Sequence, residues 1–130
     1  MRRGLRHAAG SSVAHVAFAF FAMGGWAILA NREYPMFRAL LAGAVQGTLS
    51  ACLTLFLKTA VERLSSEFVG IKALWAPPLI ACIASSAILT TIHALSGTPE
   101  ILKTIALPLT VSTSYAAIYN YSLYRKGGRA

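Results

Sequence analysis

The sequence predicts an all-α integral membrane bundle of four transmembrane helices, with an amphipathic cytoplasmic or interfacial helix between the second and third spans. Three observations lead there. First, the 130 residues are 56% hydrophobic and only 12% charged, with a mean hydropathy of +0.60. Soluble domains average about 25% charged residues, so a soluble fold of this composition would leave large apolar patches in water. Second, the apolar residues gather into four stretches of near-bilayer length. Third, the 12 Lys and Arg and 4 Asp and Glu sit at the edges of those stretches. That placement suits anchoring beside anionic lipid headgroups rather than the one-faced basic stripe of a nucleic-acid-binding domain. A single membrane domain over residues 1–130 is expected, with membrane lipids and no nucleic acid among its partners.

The first span is Val13 to Ala30, VAHVAFAFFAMGGWAILA, which carries no formal charge and follows Arg2, Arg3, Arg6 and His7. Crossing the hydrocarbon core takes about 17–25 residues of helix. A basic start and an apolar run ending on small Ala30 also fit a cleaved signal peptide. The run is long for that role, however, and Trp26 suits an interfacial anchor, so a retained helix is expected.

Residues 31–35, NREYP, form a tight polar connection, and Pro35 can open the next helix. The second span is about Ala39 to Leu57. Within it Ala39, Gly43, Gly47 and Ala51 recur at every fourth residue, forming one smooth stripe with a GxxxG at its centre. Lipid tails are as apolar as leucine, so membrane helices associate largely through close approach of small residues. The stripe predicts a packing face, against either another helix of the chain or a second copy. From Lys58 to Lys72, Leu57, Val61, Leu64, Phe68 and Ile71 recur at three- and four-residue spacing between charged and hydroxyl residues. This is an amphipathic helix, either continuing the second span or lying along the bilayer surface.

The third span is about Ala76 to Leu95, which puts Pro77 and Pro78 in its first turn, where the missing N–H groups cost little. Gly97 fits its end. Thr98-Pro99-Glu100 then reads as an N-cap, a first-turn proline and an acid facing the positive end of the helix dipole. The fourth span runs from about Glu100 to Tyr124, long enough to tilt. Pro108 removes the N–H that would reach the carbonyl of Thr104, so a kink is expected there.

Orientation follows from the positive-inside rule. With both termini cytoplasmic, nine basic residues lie inside (Arg2, Arg3, Arg6, Lys58, Arg63, Lys72, Arg125, Lys126, Arg129) and three outside (Arg32, Arg38, Lys103). Trp75, Tyr119, Tyr121 and Tyr124 then fall near one interface and Trp26 and Tyr34 near the other, forming an aromatic belt at both levels. The expected location is the inner, or plasma, membrane.

The residue inventory argues against several kinds of chemistry. Asp is absent, and none of Glu33, Glu62, Glu67 and Glu100 lies at the centre of a span. Proton-coupled export needs an ionisable group at membrane depth, and the first span offers only His15, near its start. A haem held between helices cannot use both His15 and His93, which most of the bilayer thickness separates. The histidines are therefore expected as interfacial hydrogen-bonding groups, with no cofactor and no metal. Cys52 and Cys82 form no CxxC pair and are expected to be unpaired. There is no GxSxG and no phosphate loop, so no enzyme activity and no catalytic residue is expected.

What remains is a neutral polar set at mid-depth: Gln46 in the second span, Ser86 and Thr90 in the third, and Ser112, Tyr115 and Tyr119 on one face of the fourth. An amide facing lipid leaves up to four hydrogen-bonding groups unmet, so Gln46 in particular must face inward. These residues are expected either to bond helices together or to line a small polar path beside the Pro108 kink. The leading expectation is a polytopic protein that binds or translocates a lipid-like or small neutral substrate without its own energy source. The alternatives are a non-catalytic subunit or assembly factor of a larger membrane complex, and a holin-like pore former.

Overall fold

The computed structural model describes the backbone of residues 2–127 and the side chains of residues 12–127. Four helices follow one another: α1 (Arg2–Ala30), α2 (Met36–Glu67), α3 (Lys72–Ser96) and α4 (Ile101–Lys126). Each carries a stretch long and apolar enough to cross a membrane. The short turns 31–35 and 97–100 meet at one end of the bundle, the loop end. The α2–α3 turn, the start of α1 and the end of α4 lie at the other, the terminal end. α2 is the central helix and packs on all three others, whereas among the described residues α1 and α3 have no Cα atoms within 8 Å of each other.

The small-residue stripe of α2 meets α1 of the same chain. A Cβ added at Gly43 would lie 2.6 Å from the Ile28 side chain and 3.0 Å from the Gly24 carbonyl oxygen. One added at Gly47 would lie 2.9 Å from the Phe20 carbonyl oxygen, and one at Gly24 would lie 2.9 Å from the Gly43 carbonyl oxygen. The two backbones touch here, so any side chain would force them apart. Ala39 is buried on the same stripe, and Ala51, nearer the terminal end, is half-buried.

The amphipathic stretch after Lys58 is not a separate helix. It forms the last turns of α2, whose 32 residues span about 48 Å against a hydrocarbon core of about 30 Å. Nothing breaks the helix until Phe68 turns extended and Gly70 adopts a left-handed φ of +66°. The first part of the apolar face is taken up within the bundle, while Leu64 and Phe68 are half-buried and Ile71 is exposed. Leu57 and Val61 are buried with Ala81 of α3 and Ala116 of α4, and Tyr119 and Leu123 pack against the group.

α3 starts at Lys72, one turn earlier than the sequence suggests, so Pro77 and Pro78 lie beyond its first turn. In that position they deprive the carbonyls of Ala73 and Leu74 of their i+4 donors. Asn120 of α4 supplies the replacement. Its side-chain amide, fully buried, donates to the Ala73 carbonyl at 2.9 Å and to the Leu74 carbonyl at 2.8 Å. α3 ends on Gly97 at φ +75°, where a Cβ would collide with the Arg38 guanidinium. α4 then starts at Ile101 with Glu100 as its preceding residue, and Glu100 makes no side-chain cap. Thr98 is not the N-cap, because its hydroxyl is bonded to His93 instead. α4 runs as one helix through the buried Pro108 to Lys126.

Candidate functional site

The loop end is held by side chains that bond across the turns. Asn31, fully buried, donates from Nδ2 to the Ala27 carbonyl and to Thr104 Oγ1, both at 2.7 Å. Its Oδ1 accepts the Glu100 backbone N–H at 2.9 Å, and the Thr104 hydroxyl donates onward to the Glu100 carbonyl at 2.6 Å. One amide thereby satisfies a free donor at the start of α4 and locks the first hairpin turn onto the second. Around it Trp26 Nε1 donates to the Lys103 carbonyl at 2.9 Å and Arg38 donates to the Gly97 carbonyl at 3.3 Å. Tyr34 donates its phenol hydrogen to the Glu100 carboxylate at 2.9 Å. That bond and the carboxylate charge hold the Tyr34 phenol above its ordinary pKa.

Deeper in the bundle, four buried side chains form one chain of hydrogen bonds. Thr98 Oγ1 lies 2.7 Å from His93 Nδ1, and His93 Nε2 lies 2.8 Å from Gln46 Oε1. Gln46 Nε2 donates to Ser50 Oγ at 2.8 Å. Since Gln46 presents its oxygen to the imidazole, neutral His93 carries its hydrogen on Nε2 and accepts from the Thr98 hydroxyl at Nδ1. His93 and Gln46 are fully buried, so this histidine, in the last turn of α3, is a hydrogen-bonding bridge between α2 and α3. Its position follows from the repeat Ala81, Ser85, Leu89 and His93, all buried, which is the face α3 turns inward.

The chain ends at a cavity. Ser50 forms part of the wall of an open space of about 620 Å³ between α1, α2 and α4. Among the described residues, the hydrogen bonds joining α1 and the turn after it to α4 are those of Trp26 and Asn31, both at the loop end. Toward the terminal end the two helices face each other across the cavity. Its walls are mainly apolar, with Val16, Met23, Leu53, Leu57, Pro108 and Val111. Thr54, Ser112 and Tyr115 add hydroxyls partway along, and Ser12, His15, Lys58 and Thr59 lie toward the terminal end.

The polar residues singled out in the sequence do not form one site. Gln46 belongs to the buried chain, while Ser112 and Tyr115 line the cavity. Tyr119 sits one turn further on, stacked on Tyr115 with ring centroids 5.8 Å apart, and donates to the Glu62 carboxylate. Ser86 is half-buried and Thr90 exposed, and neither reaches the cavity. The reason is geometric: the cavity is built by α1, α2 and α4, and both residues stand one position round from the inward stripe of α3. Pro108, read as a kink, is itself a wall residue. Cys52 is exposed, Cys82 is half-buried, and both are free thiols.

Asn31, Ser50, His93 and Asn120 were not legible as site residues. The available signal for Asn120 was the Pro-Pro pair, which inside a helix demands an external donor. Comparison with protein families, with characterised proteins and with solved structures found no match. The chemistry of the cavity therefore rests on its own lining. His15, Lys58 and Tyr115 are its titratable groups, and it offers long apolar contact with hydroxyls along the way.

Proposed function

We propose that this chain is a multi-pass protein of the inner membrane, with both termini cytoplasmic, that binds a lipid-like amphiphile between α1, α2 and α4 and eases its passage without an energy source of its own. The observation that carries the reading is the cavity itself. It is a half-open groove of about 620 Å³ beneath a tightly bonded loop end, where close packing between α1, α2 and α4 is interrupted. Apolar walls with a polar, basic terminal end match a molecule that has a tail and a head. The basic residues at that end also favour the cytoplasmic side by the positive-inside rule.

The rival reading, a subunit of a larger complex docked through Gly43 and Gly47, loses its main support, because α1 occupies that stripe. Purification in a gentle detergent followed by native mass spectrometry tests the proposal. A lipid retained on a monomer or dimer is the expected result. A stoichiometric foreign protein, or large and variable homo-oligomers, would contradict it.

A further inference from the structure

We infer that the cavity is specific for an anionic lipid, seated with its charged headgroup beside Lys58 and His15 and its tail directed toward Met23 and Pro108. This rests on the lipid-binding reading and adds the class and direction of the ligand. Antiparallel packing of α1 and α2 brings the early residues of α1, Ser12 and His15, to the same end of the cavity as Lys58 and Thr59 late in α2. These four supply one fixed positive charge, an imidazole and two hydroxyls, a set that can surround phosphate oxygens. Among the described residues, no acidic side chain lines the cavity.

The natural helical partner for Lys58 is Glu62, four residues on. Glu62 accepts instead from Tyr119, and among the described residues Lys58 has no ion pair. A lysine at the head of an apolar space, with its acidic neighbour engaged elsewhere, complements an anionic headgroup. At the other end, Met23, Pro108 and Val111 offer only apolar surface around the Ser50 hydroxyl, so a charged group would be poorly solvated there.

The test is lipid retention by the full-length protein, exchanged in detergent with phosphatidylglycerol or phosphatidylcholine of identical chains and read by native mass spectrometry. Wild type is expected to retain phosphatidylglycerol in preference. Lys58→Gln should reduce that retention about fivefold, the equivalent of about 1 kcal/mol per basic residue near a headgroup. Lys126→Gln, at the same end but outside the cavity, should change it less than about twofold. Because Lys58 is exposed, folding of the variant can be checked by an unchanged melt. Equal retention of both lipids, unaffected by Lys58→Gln, would overturn the headgroup assignment and leave the lipid-binding reading standing. Equal losses in both variants would overturn the assignment too, pointing to the general charge of the rim. Retention of neither lipid would overturn both.

Discussion

Asn120 on α4 completes the hydrogen bonding that Pro77, with Pro78 after it, takes away from α3. Both hydrogens of one buried amide go to the two carbonyls the prolines leave without donors. In lipid a freed carbonyl has no water to turn to, so a neighbouring helix must supply the donor. The arrangement fixes the rotation and height of α3 against α4 at the terminal end, as Asn31 joins the two hairpins at the loop end.

Asn120→Leu should therefore destabilise the bundle by about 1–2 kcal/mol, allowing about 0.6 kcal/mol for each of two bonds in a membrane plus the cost of the exposed carbonyls. In a Pro77→Ala/Pro78→Ala background the helix recovers its own donors, and the same substitution should cost less than half as much. Unfolding in mixed micelles with increasing SDS measures both. An equal cost in the two backgrounds would separate Asn120 from the prolines.

Gln46→Leu removes the acceptor of His93 Nε2 and the donor to Ser50. A loss of about 1–2 kcal/mol is expected from the stranded imidazole. His93→Leu alone should cost a similar amount, and the double variant should cost clearly less than the sum, because it leaves no half-paired group. Additive losses in the same unfolding measurement would argue that the two side chains act separately. Ser50 forms part of the cavity wall, so Gln46→Leu should also weaken lipid retention beyond what its loss of stability explains.

At Gly47, isoleucine would drive a side chain into the Phe20 carbonyl. Gly47→Ile should lower the melting temperature in detergent while leaving the oligomeric state by size-exclusion light scattering unchanged, because the partner of this face is α1. Loss of an oligomer with an unchanged melt would reverse that assignment.

Much of this architecture was legible in the sequence for simple reasons. Four apolar stretches, with charges only at their edges, leave few alternatives to four helices, and Gly43 with Gly47 marks a close contact whatever its partner. Gln46 could be placed inward because an amide in lipid is too costly. The missed features depend on which helices become neighbours. Asn120 lies among tyrosines near an expected interface, where a polar residue needs no explanation. Its role appears only when α3 is seen to start at Lys72, which turns Pro77 and Pro78 from harmless first-turn residues into an unmet demand. His93 was legible as a hydrogen-bonding group near a helix end, but nothing local reveals that Thr98 and Gln46 close around it. Ser86 and Thr90 were misplaced because the helical pattern of α3 cannot say which of two adjacent faces turns inward until α4 is docked.

The most direct test of the central claim, that the cavity between α1, α2 and α4 holds a lipid-like molecule, is native mass spectrometry of wild type beside Ser112→Trp. Ser112 lines the cavity and is half-buried, so an indole there would occupy the space without touching the loop-end bonds. Wild type is expected to carry one retained lipid, and folded Ser112→Trp to carry none. Equal lipid on both, or a bare wild type, would contradict the claim.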